Sequence, residues 1–192
     1  GPAAVTVCYL VLYYAFMILQ LASRSDAANR AAAAGAAFNP RSTDDDGAKM
    51  GDRTFNNTLE QMGPLLASLW LCACCVSPAL ATVLGGAAVV SRLFYPVLWS
   101  LGPKGRFSML VEISTQPYYL CIFGMAGSTA VWAFAGVNVV EVLPVWGVCL
   151  VVVGAYVLLF LLAAGVGLLL HMMTRGAYKS SGRFAEEVSS SD

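Results

Sequence analysis

The stretch RTFNNTLEQMGPLLASLWLCACCV, residues 53–76, combines the two properties that decide the fold. Its first part is polar, and its second part, from about Met62 to Val76, is an uncharged apolar run. Arg53, Asn57 and Glu60 are spaced i, i+4 and i+7, so they share one face of a helix. The stretch therefore predicts a helix that enters a membrane and carries a polar face where it enters.

Outward from this stretch, the chain repeats the apolar pattern. With residues 62–76 it gives five predicted spans, judged against the roughly 20 residues that a spanning helix needs. Turn signals separate them at Ser77-Pro78, at Gly102-Pro103 and at Gly136–Asn138. Asn39-Pro40 is expected to end an Ala-rich extension of the first helix, and the second helix is expected to begin near Arg53. The other four apolar runs cover about residues 3–22, 79–101, 107–135 and 143–172.

The composition supports the same class of protein. Of the 192 residues, 58% are hydrophobic and 11% are charged, against about 25% charged in an ordinary soluble domain. So few charges cannot cover a water-soluble surface, and the apolar content excludes disorder. The 11 Lys+Arg and 11 Asp+Glu balance, which excludes a basic nucleic-acid-binding surface. The six cysteines lie in apolar runs and are interpreted as buried hydrophobes, with no metal site predicted. We expect an all-α integral membrane protein.

The basic residues indicate the orientation. With five spans, the polar connection 23–53, the break at 102–106 and the tail 174–192 lie on one side of the membrane and hold nearly all Lys and Arg. The positive-inside rule places that side in the cytosol, the stroma or the matrix. This predicts a multi-pass protein of the endoplasmic reticulum or of an organellar membrane, thylakoid or inner mitochondrial.

A second polar set lies in and after the third apolar run. Arg92, Tyr95 and Trp99 are spaced i, i+3 and i+7, and Arg106 follows the Gly-Pro break. Taken alone, each set has an ordinary explanation. For Arg53, Asn57 and Glu60, the explanation is a solvated helix end with a local ion pair between Arg53 and Glu60. For the second set, it is that the Arg92 side chain extends toward the membrane surface and pairs with Glu60.

Taken together, the two sets predict a polar pocket at one membrane face, suited to a small polyanionic ligand. Arginine forks bind carboxylates, a carboxylate such as Glu60 can hold an ammonium, and a nearby arginine lowers the pKa of a thiol. Glutathione, with two carboxylates, one ammonium and one thiol, fits these groups.

The sequence resembles the MAPEG family, the membrane-associated proteins in eicosanoid and glutathione metabolism. The pattern R-x-x-x-N-x-x-E stands at residues 53–60, R-x-x-Y stands at 92–95, and a further arginine stands at 106. The resemblance covers about residues 24–135. It implies a four-helix membrane domain over residues 1–135, a homotrimer, and glutathione bound between neighbouring subunits. By the same resemblance Arg106 would activate the glutathione sulfur, and the residues that would bind glutathione are Arg53, Asn57, Glu60, Arg92 and Tyr95.

Departures from the family pattern leave two functions open. Gln61 and Trp99 stand where the family often has tyrosine, and residues 136–173 add a helix before the tail. One function is a glutathione transferase or peroxidase acting on lipophilic electrophiles or lipid hydroperoxides. The other is a non-catalytic accessory subunit of a photosystem or respiratory complex, docked through the fifth helix, its pocket holding a lipid or a pigment. His171 is interpreted as a polar residue at the membrane interface, with ligation of haem or a pigment as the alternative.

Overall fold

Long helices account for nearly all of the chain that the computed structural model describes, which is residues 1–39, 45–102, 109–159, 161–162 and 165–167. No strand occurs within these ranges. A 3-10 turn at Met109–Val111 precedes the fifth helix. The helices are α1 (Pro2–Ala33), α2 (Asp46–Cys75), α3 (Pro78–Leu93), α4 (Tyr95–Leu101), α5 (Glu112–Ala135), α6 (Val139–Val142) and α7 (Val145–Leu159).

The first connection is shorter than the polar stretch 23–53 suggested, because both flanking helices extend into it. α1 continues through the Ala-rich segment but ends at Ala33, so the expected stop at Asn39-Pro40 is wrong. α2 begins at Asp46, before the expected start near Arg53, because the Asp45 side chain caps it by accepting a hydrogen bond from the Ala48 N–H.

Ion pairs between α1 and α2 hold these extensions together. Arg24 donates from Nε and Nη2 to the two carboxylate oxygens of Asp52, at 2.7 and 3.2 Å. Gln20 adds a hydrogen bond of 2.8 Å to the same carboxylate. Arg30 lies 2.8 Å from Asp45. These polar contacts explain why two helices stay paired beyond their apolar portions.

Prolines and a glycine set the later boundaries. Ser77 caps α3 after the predicted turn, and Pro78 is its first residue. The third apolar run is divided at Phe94, because Pro96 has no N–H to donate to the Arg92 carbonyl one turn earlier. α5 ends as predicted at Gly136, whose φ of 67° is readily adopted only by glycine. Pro117 lies within α5 without ending it.

The core of the bundle surrounds α2, which packs against α1, α3 and α5. α3 also packs against α1 and α5. The interior is filled by apolar side chains from all four of these helices, among them Leu12, Leu65, Leu69, Leu80 and Met125. The two polar motifs therefore begin on α2 and α3, each of which contacts every other member of the bundle.

The described residues contain three segments that are long and apolar enough to cross a membrane, namely Pro2–Ala33, Pro78–Leu101 and Met109–Ala135. α2 is not among them because its apolar part is shorter. The described part of the helix after the bundle, α7 at Val145–Leu159, is shorter than a full crossing, and the tail 174–192 lies outside the described residues. The chain divides into two units, residues 1–149 and 150–192. The second begins within α7, and its described residues are mainly helical.

Candidate functional site

Arg92 is the centre of the polar cluster and is fully buried, with 0% of its surface exposed. It stands in the last turn of α3. Its Nη2 donates to the side-chain oxygen of Asn57 and, at 3.3 Å, to the Asn57 backbone carbonyl. These two residues are thus joined across the interface of α2 and α3, 35 positions apart in the sequence.

Two phenol rings flank the Arg92 guanidinium. Its central carbon lies 4.9 Å from the ring centroid of Tyr95 and 4.5 Å from that of Tyr118. Contacts of this kind stabilise a desolvated cation. Nε and Nη1 of Arg92 are nevertheless buried without a hydrogen-bond partner. A buried arginine with unpaired donors in a membrane protein is a candidate for a functional site.

Two buried tyrosines, Tyr9 of α1 and Tyr118 of α5, link this cluster to the backbone of α2. Tyr9 donates to the Thr58 carbonyl at 2.7 Å, and Tyr118 donates to the Gln61 carbonyl at 3.1 Å. Their two hydroxyl oxygens lie 3.4 Å apart. Three other helices therefore converge on one turn of α2, just before Pro64.

Sequence reasoning missed the role of both tyrosines. A general rule about phenols in membrane helices could have identified both tyrosines from the sequence. A phenol in the middle of an apolar helix needs a hydrogen-bond partner, which the bilayer does not supply.

The accessible face of the cluster carries the remaining residues of the α2 motif. Arg53 and Glu60 are exposed, and Asn57 is half-buried between them. The predicted pairs of Glu60 with Arg53 and with Arg92 do not form among the described residues, because Glu60 faces outward and Arg92 turns inward to Asn57.

The structure thus brings together three of the predicted site residues, Asn57, Arg92 and Tyr95, and leaves Arg53 and Glu60 exposed on α2. Trp99 stacks on Tyr95, with ring centroids 6.4 Å apart and planes 24° from parallel. Arg106 and His171 lie outside the described residues. No group of three or more His, Cys, Asp and Glu side chains within the described ranges could hold a metal ion.

These observations define a class: an all-helical integral membrane protein with a polar cluster at one end of a four-helix bundle. The model of the MAPEG family matches residues 3–131, about two thirds of the chain. The chain belongs to the MAPEG family. No curated protein and no solved structure matches it. The match ends within α5, so α6 and α7 lie beyond it.

Proposed function

We propose that the protein binds glutathione at the accessible face of this cluster and uses its sulfur as a nucleophile. Membership of a family in eicosanoid and glutathione metabolism supports the class of ligand. The observation that carries the proposal is the joining of Asn57 to Arg92 beside Tyr95, because it assembles residues of two separate sequence motifs in one place.

The chemistry of the accessible residues matches the tripeptide. The Arg53 guanidinium offers a fork for a carboxylate, and the Glu60 carboxylate offers an acceptor for an ammonium. Both are exposed, so a ligand can reach them. Arg92 and Tyr95, with 0% and 4% exposure, form the wall behind them. Arg106, by the family resemblance, would stand near the sulfur and stabilise the thiolate.

The proposed reaction begins with the thiolate of glutathione bound at the membrane face. The thiol proton leaves to solvent, and the sulfur attacks an electrophilic carbon, forming a C–S bond as a leaving group departs or an epoxide ring opens. With a lipid hydroperoxide, the thiolate attacks the peroxide oxygen, so that an S–O bond forms as the O–O bond breaks, the alcohol leaves and glutathione sulfenic acid remains. The thiol of a second glutathione then attacks the sulfenic sulfur, which releases water and forms the disulfide. The products are an alcohol, water and oxidised glutathione. The exposed apolar surface of the bundle allows lipophilic substrates to arrive from the bilayer.

Calorimetry of glutathione binding in mild detergent tests the proposal, with Arg106→Ala measured in parallel. The expected result is binding to the wild-type protein with thiolate formed near neutral pH, detected by its ultraviolet absorbance. In Arg106→Ala glutathione should bind but stay protonated. Absence of binding to the wild-type protein would reject the glutathione function.

A second candidate, a non-catalytic accessory subunit of a larger membrane complex, is favoured by one observation. The helices α6 and α7 lie beyond the family match, and α7 exposes large apolar side chains such as Trp146 and Leu158. Extraction of the full chain from its native membrane distinguishes the two. Migration with a large complex together with absence of glutathione binding would support the accessory subunit.

A further inference from the structure

We infer that Arg92 is a positioning residue that fixes the orientation of the Asn57 amide, so that the site presents an N–H donor to a carboxylate of its ligand. The inference rests on the proposed glutathione function and concerns one contact within it. It changes the role that the family resemblance implies for Arg92, from contact with the ligand to action through Asn57.

The orientation of the amide follows from hydrogen-bond chemistry. A guanidinium carries donors and no acceptor, so the side-chain atom of Asn57 that faces Arg92 must be its oxygen. The amide nitrogen Nδ2 is consequently turned away from Arg92. An asparagine without such a neighbour could present either end of its amide to a ligand.

The nitrogen end of the amide is also the accessible end. Asn57 is half-buried, and its Nδ2 makes no hydrogen bond with any other described residue. Among the described residues, the buried side-chain N and O atoms that lack a partner are Nε and Nη1 of Arg92. Nδ2 is therefore reachable from outside the bundle, on the same helix face as Arg53.

The position of Arg92 is itself fixed by its surroundings. It has no exposed surface, and the rings of Tyr95 and Tyr118 flank the guanidinium. Rotation of Arg92 away from Asn57 would leave its Nη2 without that partner and add to the two donors that are already unpaired. Arg92 thus holds the amide in one orientation and stays out of contact with the ligand.

The fixed orientation of the Asn57 amide determines which ligand groups the site accepts. Arg53 and Nδ2 of Asn57 are donors, and Glu60 is an acceptor, so the face accepts a carboxylate beside Asn57 and an ammonium beside Glu60. A ligand with a primary amide in place of that carboxylate would present its own N–H2 group or a weaker, neutral acceptor to Nδ2.

The substitution Asn57→Asp separates the contact of residue 57 with Arg92 from its contact with the ligand. The carboxylate retains an oxygen toward Arg92 and adds a negative charge beside a buried positive one, so the melting temperature in detergent should equal or exceed that of the wild-type protein. The same change replaces the donor with a second acceptor. The affinity for glutathione should therefore fall about tenfold or more.

Two mono-amide derivatives of glutathione, one at each carboxyl group, provide the decisive readout. The wild-type protein should prefer glutathione to the derivative whose amide meets Asn57, and Asn57→Asp should reverse or abolish this preference, because an aspartate accepts from an amide N–H2. The matched control is Asn56→Asp, the same change at the exposed neighbouring position. It should leave both the preference and the melting temperature unchanged.

The outcomes distinguish this inference from the function it rests on. If wild-type protein binds no glutathione, the proposed function fails, while the melting temperature of Asn57→Asp still tests the Arg92 contact. If glutathione binds and Asn57→Asp retains the wild-type preference, or loses stability relative to Asn56→Asp, the inference is wrong. Arg92→Lys, which removes the planar fork but keeps the charge, should reduce the preference without altering Asn57 itself.

Discussion

The Arg92 guanidinium carbon lies 4.5 Å from the ring centroid of Tyr118, and the Tyr118 hydroxyl donates to the Gln61 carbonyl at 3.1 Å. One side chain of α5 thus contacts a buried cation of α3 and the backbone of α2. This arrangement connects the wall of the candidate site to the core of the bundle. The ring and the hydroxyl of Tyr118 make separate contacts, so their contributions to the free energy of unfolding can be measured separately.

Replacement of Tyr118 tests these two contributions. Tyr118→Phe keeps the ring and loses one hydrogen bond, so the free energy of unfolding should fall by about 1 kcal/mol. Tyr118→Leu also removes the ring beside a desolvated cation and should lower it by at least about 2 kcal/mol. Chemical denaturation in detergent measures both. Equal losses in the two variants would show that the ring contributes nothing to holding Arg92.

Glu60→Gln tests the acceptor of the proposed site. Glu60 is exposed, so the neutral amide should leave stability nearly unchanged. Loss of the charge that faces the ligand ammonium should raise the Kd for glutathione about tenfold. Asp26→Asn, at an exposed carboxylate of α1, is the control for a general charge effect and should leave the Kd unaltered. A similar weakening in both variants would exclude a specific role for Glu60.

Adjacent glycines in α3 test the close packing of the bundle. A Cβ at Gly85 would lie 2.6 Å from Cδ1 of Leu69 and 2.9 Å from Cγ1 of Val5, whereas a Cβ at Gly86 would meet nothing within 4 Å. Gly85→Ala should therefore destabilise the protein by about 1–3 kcal/mol. Gly86→Ala should be neutral or stabilise it by up to about 1 kcal/mol. Melting temperatures in detergent give the comparison, and similar values for the two variants would contradict the packing described.

Low pH should reduce the stability that the first turn of α2 contributes to the protein. Hydrogen bonds from the Ala48 N–H and from the Arg30 guanidinium hold the pKa of the Asp45 carboxyl below its ordinary value of 3.8. A lowered pKa contributes stability that is present above the unfolded value and is lost as the pH falls through the folded value. Asp45→Asn keeps the cap and removes the charge. The wild-type protein should thus be more stable than Asp45→Asn near neutral pH, and the difference should shrink below about pH 3.8.

Thermal unfolding of the two proteins across this pH range checks the prediction. Asp45→Ala, which removes both the cap and the charge, should be the least stable near neutral pH. A difference between the wild-type protein and Asp45→Asn that does not depend on pH would show that ionisation of the Asp45 carboxyl contributes nothing to stability.

Much of the local structure could be predicted because its causes are local. The apolar runs gave an integral membrane protein built of helices, and Ser77-Pro78 and Gly136 gave correct boundaries. The stop predicted at Asn39-Pro40 is wrong because Gly35, whose φ is 68°, follows the end of α1 at Ala33. The start predicted near Arg53 is wrong because Asp45 caps α2 earlier and pairs with Arg30. Asp45 and Asp52 of α2 pair with Arg30 and Arg24 of α1, which extends both helices beyond the lengths that their apolar residues suggest.

The spacing of Arg53, Asn57 and Glu60 is sufficient to place them on one helix face, since helical periodicity is a property of spacing alone. The inward turn of Arg92 to Asn57, between the rings of Tyr95 and Tyr118, is visible in the folded bundle and not in the spacing of residues. Tyr9 and Tyr118 are 109 positions apart, yet their hydroxyls lie 3.4 Å from each other. Such contacts depend on which faces of four helices meet, and that choice is made by the packing of the whole bundle rather than by any one segment.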